Sequence, residues 1–247
     1  MLRRDIEAKF HDNIAGFERA DFYAYGALDA ADDYAYALLG NLKDKVLLDL
    51  GCGRGDHALR FARAGALVHA VDISSRMLEV TADRARTAGL AGRIITHQVA
   101  AEDLHRFFEE GTFDVVFGHS ILHHLELPVA RDEIYRVLKR GGYGVFLEPL
   151  NHNPAINLFR RLTPWRRTPT EKPLRFEDIF FFAEPFVQLT HREFYLVALV
   201  AFVFLPFRSR KLFQAALNTL MRLDSILLTR WPAFGRYAWV IVMKVIK

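Results

Sequence analysis

With 247 residues, 51% of them hydrophobic and 25% charged, the chain is long enough to bury a sizeable core and too apolar to be a disordered segment. Its formal net charge of +4 is concentrated in one segment, which excludes an evenly basic surface. Cys52 is the only cysteine, so an internal disulfide is excluded, a cysteine-built structural zinc site is not expected, and a reducing, cytoplasmic setting is.

The first residues, MLRRDIEAKFHD, begin basic but carry neither the apolar run nor the small-residue cleavage site of a signal peptide. Residues 1–42 read as helical and are rich in aromatics: Phe10, Phe17, Phe22, Tyr23, Tyr25, Tyr34 and Tyr36. Most of these are expected to pack, because aromatic rings bury large areas, with a minority left to face a ligand. From Val46 onward, short aliphatic runs alternate with helical patterns, the mark of a parallel sheet covered on both faces. Strands are expected at 46–50, 67–71, 94–99, 113–117 and 144–147, and helices at 56–64, 75–88 and 127–139. Ser74 or Ser75 is placed to cap the second helix, and KRGGYG from Lys139 stops the third.

Residues 151–234 read as an insertion before the last strand. Asn151, His152 and Asn153 at its start suit turns or acceptor hydrogen bonds alike. Next come Arg160, Arg161, Arg166, Arg167, Lys172 and Arg175 against Glu171 alone. This basic stretch is either a solvated connection or a site for an anionic headgroup, a phosphate or nucleic acid. The run FYLVALVAFVFLPF, 194–207, carries no charge and is followed by Arg208, Arg210 and Lys211. It falls short of the about 20 apolar residues that cross a bilayer, so it is a buried element, an interfacial one, or the wall of a lipophilic pocket. The final RYAWVIVMKVIK alternates, is β-branched and is expected to close the sheet.

The most informative stretch is VLLDLGCGRGDHAL, 46–59, a strand followed by Gly51, Gly53 and Gly55 and then a helix. Glycines there let a ligand approach the backbone beside a helix N-terminus. The spacing is G-x-G-x-G, not the G-x-G-x-x-G that cradles a pyrophosphate. The next strand ends in VDIS, which puts Asp72 where a carboxylate can accept from both hydroxyls of a ribose. Glycine loop and acid together point to a bound nucleoside.

VLLDLGCGRG, VDIS, FDVVFGHSILHHL and RVLKRGGYGVFLEP, in that order, resemble the class I S-adenosylmethionine-dependent methyltransferases. The likeness is strongest to the small-molecule branch that includes the ubiquinone and menaquinone methyltransferases, and it covers about residues 10–149. It implies an α/β fold with a Rossmann-like, doubly wound, mostly parallel sheet and an antiparallel closing strand. In a single domain, residues 1–42 would be a helical lid holding His11, Tyr23 and Tyr25, 43–150 the cofactor-binding core, 151–234 a substrate-selecting insertion and 235–247 the closing strand.

The resemblance implies S-adenosyl-L-methionine as cofactor. Asp49 would hold its α-amino group directly or through water, and Gly51, Gly53 and Gly55 would form the loop against it. Asp72 would hold the ribose, and Ile73 would lie on the adenine, supported by Met77. Where the family commonly has G-D-A-E-D-L, this chain has VAAEDL. Ala100 therefore lacks an acid, leaving the backbone N–H of Ala101 and the carboxylate of Glu102 for the adenine end, unless Glu102 and Asp103 merely cap the next helix. His119 would lie beside both the sulfonium and the acceptor. His119, His123 and Glu148 are the catalytic candidates, the histidines as general bases or as walls of the pocket. No metal is expected, because displacement at a sulfonium requires none.

The acceptor expected is small and amphipathic or lipophilic, lipid-linked molecules included, with peripheral membrane contact left open and O-, N- or C-methylation unresolved. A nucleic-acid methyltransferase would call for the N/D-P-P-Y/F motif of base amino-group methylation or an RNA-binding appendage, and neither is present. A non-catalytic partner or sensor that binds the cofactor is the other alternative.

Overall fold

The computed structural model describes residues 3–14, 25–164, 168, 170–207 and 209–247. Phe17, Phe22, Tyr23, Arg166, Arg167 and Arg208 lie outside these described residues. Helices α1 (Arg3–Ile14) and α2 (Asp29–Leu39) precede the alternating core. That core runs β1 (Val46–Leu50), α3 (Asp56–Arg63), β2 (Leu67–Asp72), α4 (Ser75–Thr87), β3 (Ile94–Gln98), β4 (Phe113–His119), α5 (Leu127–Val137) and β5 (Leu138–Pro149). Short 3₁₀ turns at Ala101–Arg106 and Leu122–His124 flank β4. The rest comprises α6 (Pro154–Leu162), α7 (Phe176–Ala183), β6 (Gln188–Phe194), a 3₁₀ stretch at Ala198–Phe207, α8 (Arg210–Arg230) and β7 (Val240–Ile246).

The seven strands form one sheet in the order β3-β2-β1-β4-β5-β7-β6. The first five are parallel, and β7 pairs antiparallel with both β5 and β6. The Rossmann-like, doubly wound, mostly parallel architecture with an antiparallel closing strand is thus the one expected. Central strands are apolar on both faces because helices cover both. On one face Ala31, Ala35, Phe61, Leu78 and Phe213 pack against Leu47, Val68 and Val115. On the other, Leu104, Ile134, Val137, Ile179 and Phe182 pack against Leu48, Val116 and Phe146.

Two features depart from expectation. Within the segment expected to be wholly an insertion, β6 joins the sheet as its edge strand, its residues alternating exposed and half-buried up to buried Phe194. The apolar run is not one buried element: Phe194, Tyr195, Ala198 and Ala201 enter the core, while Val200 and Val203 stay exposed. No described helix is long and apolar enough to cross a membrane.

Candidate active site

Strand order reverses between β1 and β4, so the carboxyl ends of β1, β2 and β4 open into one crevice, the place where open α/β sheets take ligands. The cleft there encloses about 820 Å³, counting the space open to solvent. Gly51 and Gly53 form its floor with Leu50. Val71, Asp72, Ile73, Val99, Ala101 and Glu102 form one side, and His119, Ser120, Ile121, His124 and Leu125 the other. Arg3, Arg4, Glu7 and His11 of α1 complete the wall.

The glycine loop is stitched to β2 by the N–H groups of Gly51 and Cys52, which donate to the Val71 carbonyl at 2.8 and 2.9 Å. Gly53 has φ +51°, and a Cβ there would meet nothing within 4 Å, so the loop presents bare backbone to open space. Gly55 answers to a different constraint. It is absent from the cleft lining, has φ +77°, and a Cβ on it would lie 2.7 Å from Thr81 Cγ2 of α4. It is glycine so that two helices can approach, which corrects its expected place in the ligand loop.

Asp72 ends β2 and is pinned from behind: Gly53 N donates to Oδ2 and Ser74 N to Oδ1, each at 2.9 Å. Burial pushes its carboxyl pKa up, and the backbone donors and the nearby His11 oppose that rise. The same turn starts α4, where Ser74 Oγ accepts from Met77 N; Met77 itself is buried and lies outside the cleft lining. Asp49, 1% exposed on β1, does not line the cleft, although Leu50 and Gly51 beside it do. Its Oδ2 is buried and accepts no hydrogen bond from the described residues. Burial, with Asp72 and Asp56 adding their negative charges, raises the Asp49 pKa to about 8.

At the far side, Ala101 and Glu102 open the turn after β3. The Glu102 carboxylate faces the cleft, accepts from Glu126 N at 3.1 Å and lies 3.8 Å from Arg4. His119 ends β4 with Nε2 3.1 Å from Asp32 and its ring stacked on His57 at 4.8 Å. Ser120 follows at φ +56°, a non-glycine residue in the left-handed region, as often happens where a strand end is turned toward a ligand.

Glu148 and His123 are not where catalysis would need them. Glu148 is fully buried, and its Oε1 accepts from Ile121 N and Leu122 N, both at 2.8 Å, while His123 Nδ1 meets Oε2 at 2.7 Å. Neither residue lines the cleft. Three donors consume the carboxylate, so Glu148 holds the loop after β4 in shape, and His123 braces it. Of the two adjacent histidines it is His124 that faces the cleft. The strand-end position of Glu148 suggested exposure; its burial depends on loop 120–124 folding back over β5, which no local pattern announces. Arg3, Arg4, Glu7, Val99 and Ser120 also line the cleft and were not singled out from the sequence.

The other candidates have structural partners. Asn153 caps α6 through Oδ1 and donates to the Tyr237 carbonyl, and His152 accepts from Phe176 N. Tyr25 and Tyr34 pack on Phe213 and Phe194, and Tyr36 meets His57 at 2.9 Å. No described residue of the 194–207 run lines the cleft.

Residues 48–146 match the methyltransferase domain family. A ubiquinone biosynthesis O-methyltransferase of Paraburkholderia xenovorans is 35% identical over 119 residues, 48% of this chain and 50% of that protein. A demethylmenaquinone methyltransferase of Thermobifida fusca is 33% identical over 172 residues, 64% of this chain and 66% of that protein. The chain thus spans about half the length of the first of these and two thirds of the second. Among solved structures, geranyl diphosphate C-methyltransferase of Streptomyces coelicolor superposes over 100% of this chain and 97% of its own with a TM-score of 0.65 at 14% identity, a likeness of fold.

Proposed function

The chain carries a methyltransferase domain of the class I S-adenosylmethionine-dependent family, and from that premise we propose that it methylates a small, lipophilic or amphipathic acceptor of the quinone-precursor kind. The observation that carries the proposal is the pairing of bare Gly53 with the pinned Asp72 carboxylate on one rim of the cleft. The site suits the cofactor on two counts. Open space over Gly53 admits a ligand against the backbone, and the buried Asp49 Oδ2 just behind the lining, with no hydrogen-bond partner among the described residues, favours a cationic group such as an α-ammonium nearby.

In this reading Asp72 accepts from the ribose hydroxyls, its two backbone donors fixing the carboxylate beforehand. Ile73 and Val99 flank the adenine, and Ala101 N–H with Glu102 meets its edge. Asp49, which lies behind the cleft lining, balances the α-ammonium through water. S-adenosylmethionine, when bound, supplies an electrophilic methyl group on a sulfonium. The cleft walls align the acceptor with that group and exclude water, and alignment of this kind is worth about 7–11 kcal/mol. His119, steadied by Asp32 and His57, is the side chain placed to receive a proton from a hydroxyl acceptor. With a carbon or nitrogen acceptor it shapes the pocket instead.

The relatives' printed names concern quinone biosynthesis, which favours a ring acceptor with an apolar tail. We assign membrane contact to α6, which has no buried residue and exposes Leu158, Phe159 and Leu162 beside Arg161. Vesicle flotation with anionic lipids should be lost on Leu158→Glu with Leu162→Glu.

The central test is calorimetry with S-adenosylhomocysteine. Losing charge-assisted hydrogen bonds costs about 1.5–3 kcal/mol each, so Asp72→Ala should bind at least tenfold more weakly. Unchanged affinity would sink the site assignment. A screen of quinone-precursor and lipid extracts with methyl-labelled cofactor tests the acceptor class; label entering only RNA or protein would overturn it.

A further inference from the structure

Glu7 and His11 sit one turn apart on α1 and face His124 from the turn after β4, and all three line the outer part of the cleft. Glu7 Oε2 lies 3.1 Å from His124 Nδ1 and 3.8 Å from His11 Nε2, and the three ligating atoms lie within 4.8 Å of one another. Glu7 is 3% exposed. Its Oε2 and His124 Nδ1 are both buried, yet neither makes a hydrogen bond of sound geometry with any described residue. Glu7 Oε2 and His124 Nδ1 are in charge-pair contact without hydrogen-bond geometry, and together with His11 Nε2 they converge on one point that an ion would occupy.

We propose that Glu7, His11 and His124 bind a divalent transition-metal ion of the zinc type. Two imidazoles and a carboxylate are a donor set for that class, whereas calcium and magnesium favour all-oxygen shells. With bonds of about 2.0–2.2 Å, ligand atoms of a tetrahedral site stand about 3.3 Å apart. The Glu7–His124 separation already meets this, and His11, the most exposed of the three side chains, closes the rest by a small rotation.

The carboxylate is braced as a metal ligand needs to be. Thr168 Oγ1 donates to Glu7 Oε1 at 2.8 Å, Thr170 Oγ1 donates to the same oxygen, and Oε2 is left for the ion. A second grouping, His123, His124 and Glu171, shares His124, but His123 already gives its Nδ1 to Glu148. Three protein ligands leave a fourth position, and since all three line the cleft, that position opens to it for water or an oxygen of the acceptor.

The inference stands apart from the methyl-transfer reading, because metal binding is read on the protein alone. Chelator-treated full-length protein would be titrated with Co²⁺, followed by its visible d–d bands, and then competed with Zn²⁺. One equivalent should bind the parent protein, with at least tenfold weaker binding in each of Glu7→Gln, His11→Gln and His124→Gln and no change in Glu171→Gln. Circular dichroism shows whether each variant is folded, and Zn²⁺ should raise the melting temperature of the parent but not of the three variants. Absence of a stoichiometric site in the parent, binding that survives in all three variants, or loss in Glu171→Gln instead would overturn the proposal.

Discussion

Replacing Asp49 with Asn should abolish a proton release that accompanies cofactor binding. With its pKa raised from 3.8 to about 8, Asp49 is mostly protonated at neutral pH in the unliganded protein. A cationic α-ammonium settling near its unpartnered Oδ2 favours the ionised form and drives the proton off. Calorimetry with S-adenosylhomocysteine in buffers of low and high ionisation enthalpy should therefore report net proton release at neutral pH that shrinks as pH rises, and affinity should rise with pH until it levels off near pH 8. The sign for folding runs the other way. The folded pKa lies above the unfolded value, so the stabilising contribution is complete below about pH 4 and is lost as pH climbs toward 8. Four powers of ten correspond to on the order of 5 kcal/mol of cost to the unliganded fold at high pH. Asp49→Asn should accordingly bind ligand more weakly, release no proton, and melt higher than the parent at pH 9. Equal proton release by parent and variant, or none by a parent that still binds, would refute the reasoning.

The two glycines at φ +77° and +51° should separate in function. Gly55→Ala, whose new methyl would press on Thr81, should lower the melting temperature more than Gly53→Ala, and Gly53→Ala should lose more cofactor affinity; identical profiles would contradict the assignments. Glu148→Ala strands two backbone N–H groups and the His123 ring, so a loss of about 3–5 kcal/mol is expected in denaturant unfolding. Glu148→Gln, which keeps the shape and one acceptor oxygen, should lose less. His119→Gln should lower turnover of a hydroxyl acceptor by more than it lowers cofactor affinity; a parallel fall in both would make His119 a wall of the cofactor site only.

What could be seen in the sequence was what repeats locally. β1 falls at the expected residues because VLLDL is an aliphatic run interrupted only by Asp49 and ended by glycine, and α4 starts where Ser74 caps it. β6 escaped notice because QLTHREF is an edge strand whose alternation is half polar, with no buried stripe to mark it. Roles that depend on long-range register were also hidden. The end of β5 looks exposed until loop 120–124 folds over Glu148, and the neighbouring histidines part ways only because that loop turns one inward. The Glu7–His11–His124 grouping was invisible because Glu7 and His11 precede the core, His124 follows β4 far along the chain, and they meet only once α1 lies across the cleft.

The way α1 is fastened has a kinetic consequence. Of its described side chains only Glu7 is buried, and the helix is held by Arg3 on Glu126, Arg4 on Asp103, Asp12 on Ser74 and Glu7 on Thr168. Exposed ion pairs are worth about 0–1 kcal/mol apiece and fade over about 8–10 Å at physiological salt. Raising the ionic strength should therefore loosen the Arg3 and Arg4 ion pairs of α1 while leaving its hydrogen bonds to Ser74 and Thr168 in place. If α1 is the part that opens to pass ligand, the dissociation rate of S-adenosylhomocysteine should rise with salt in stopped-flow measurements, and a salt-independent rate would show that ligand passes elsewhere.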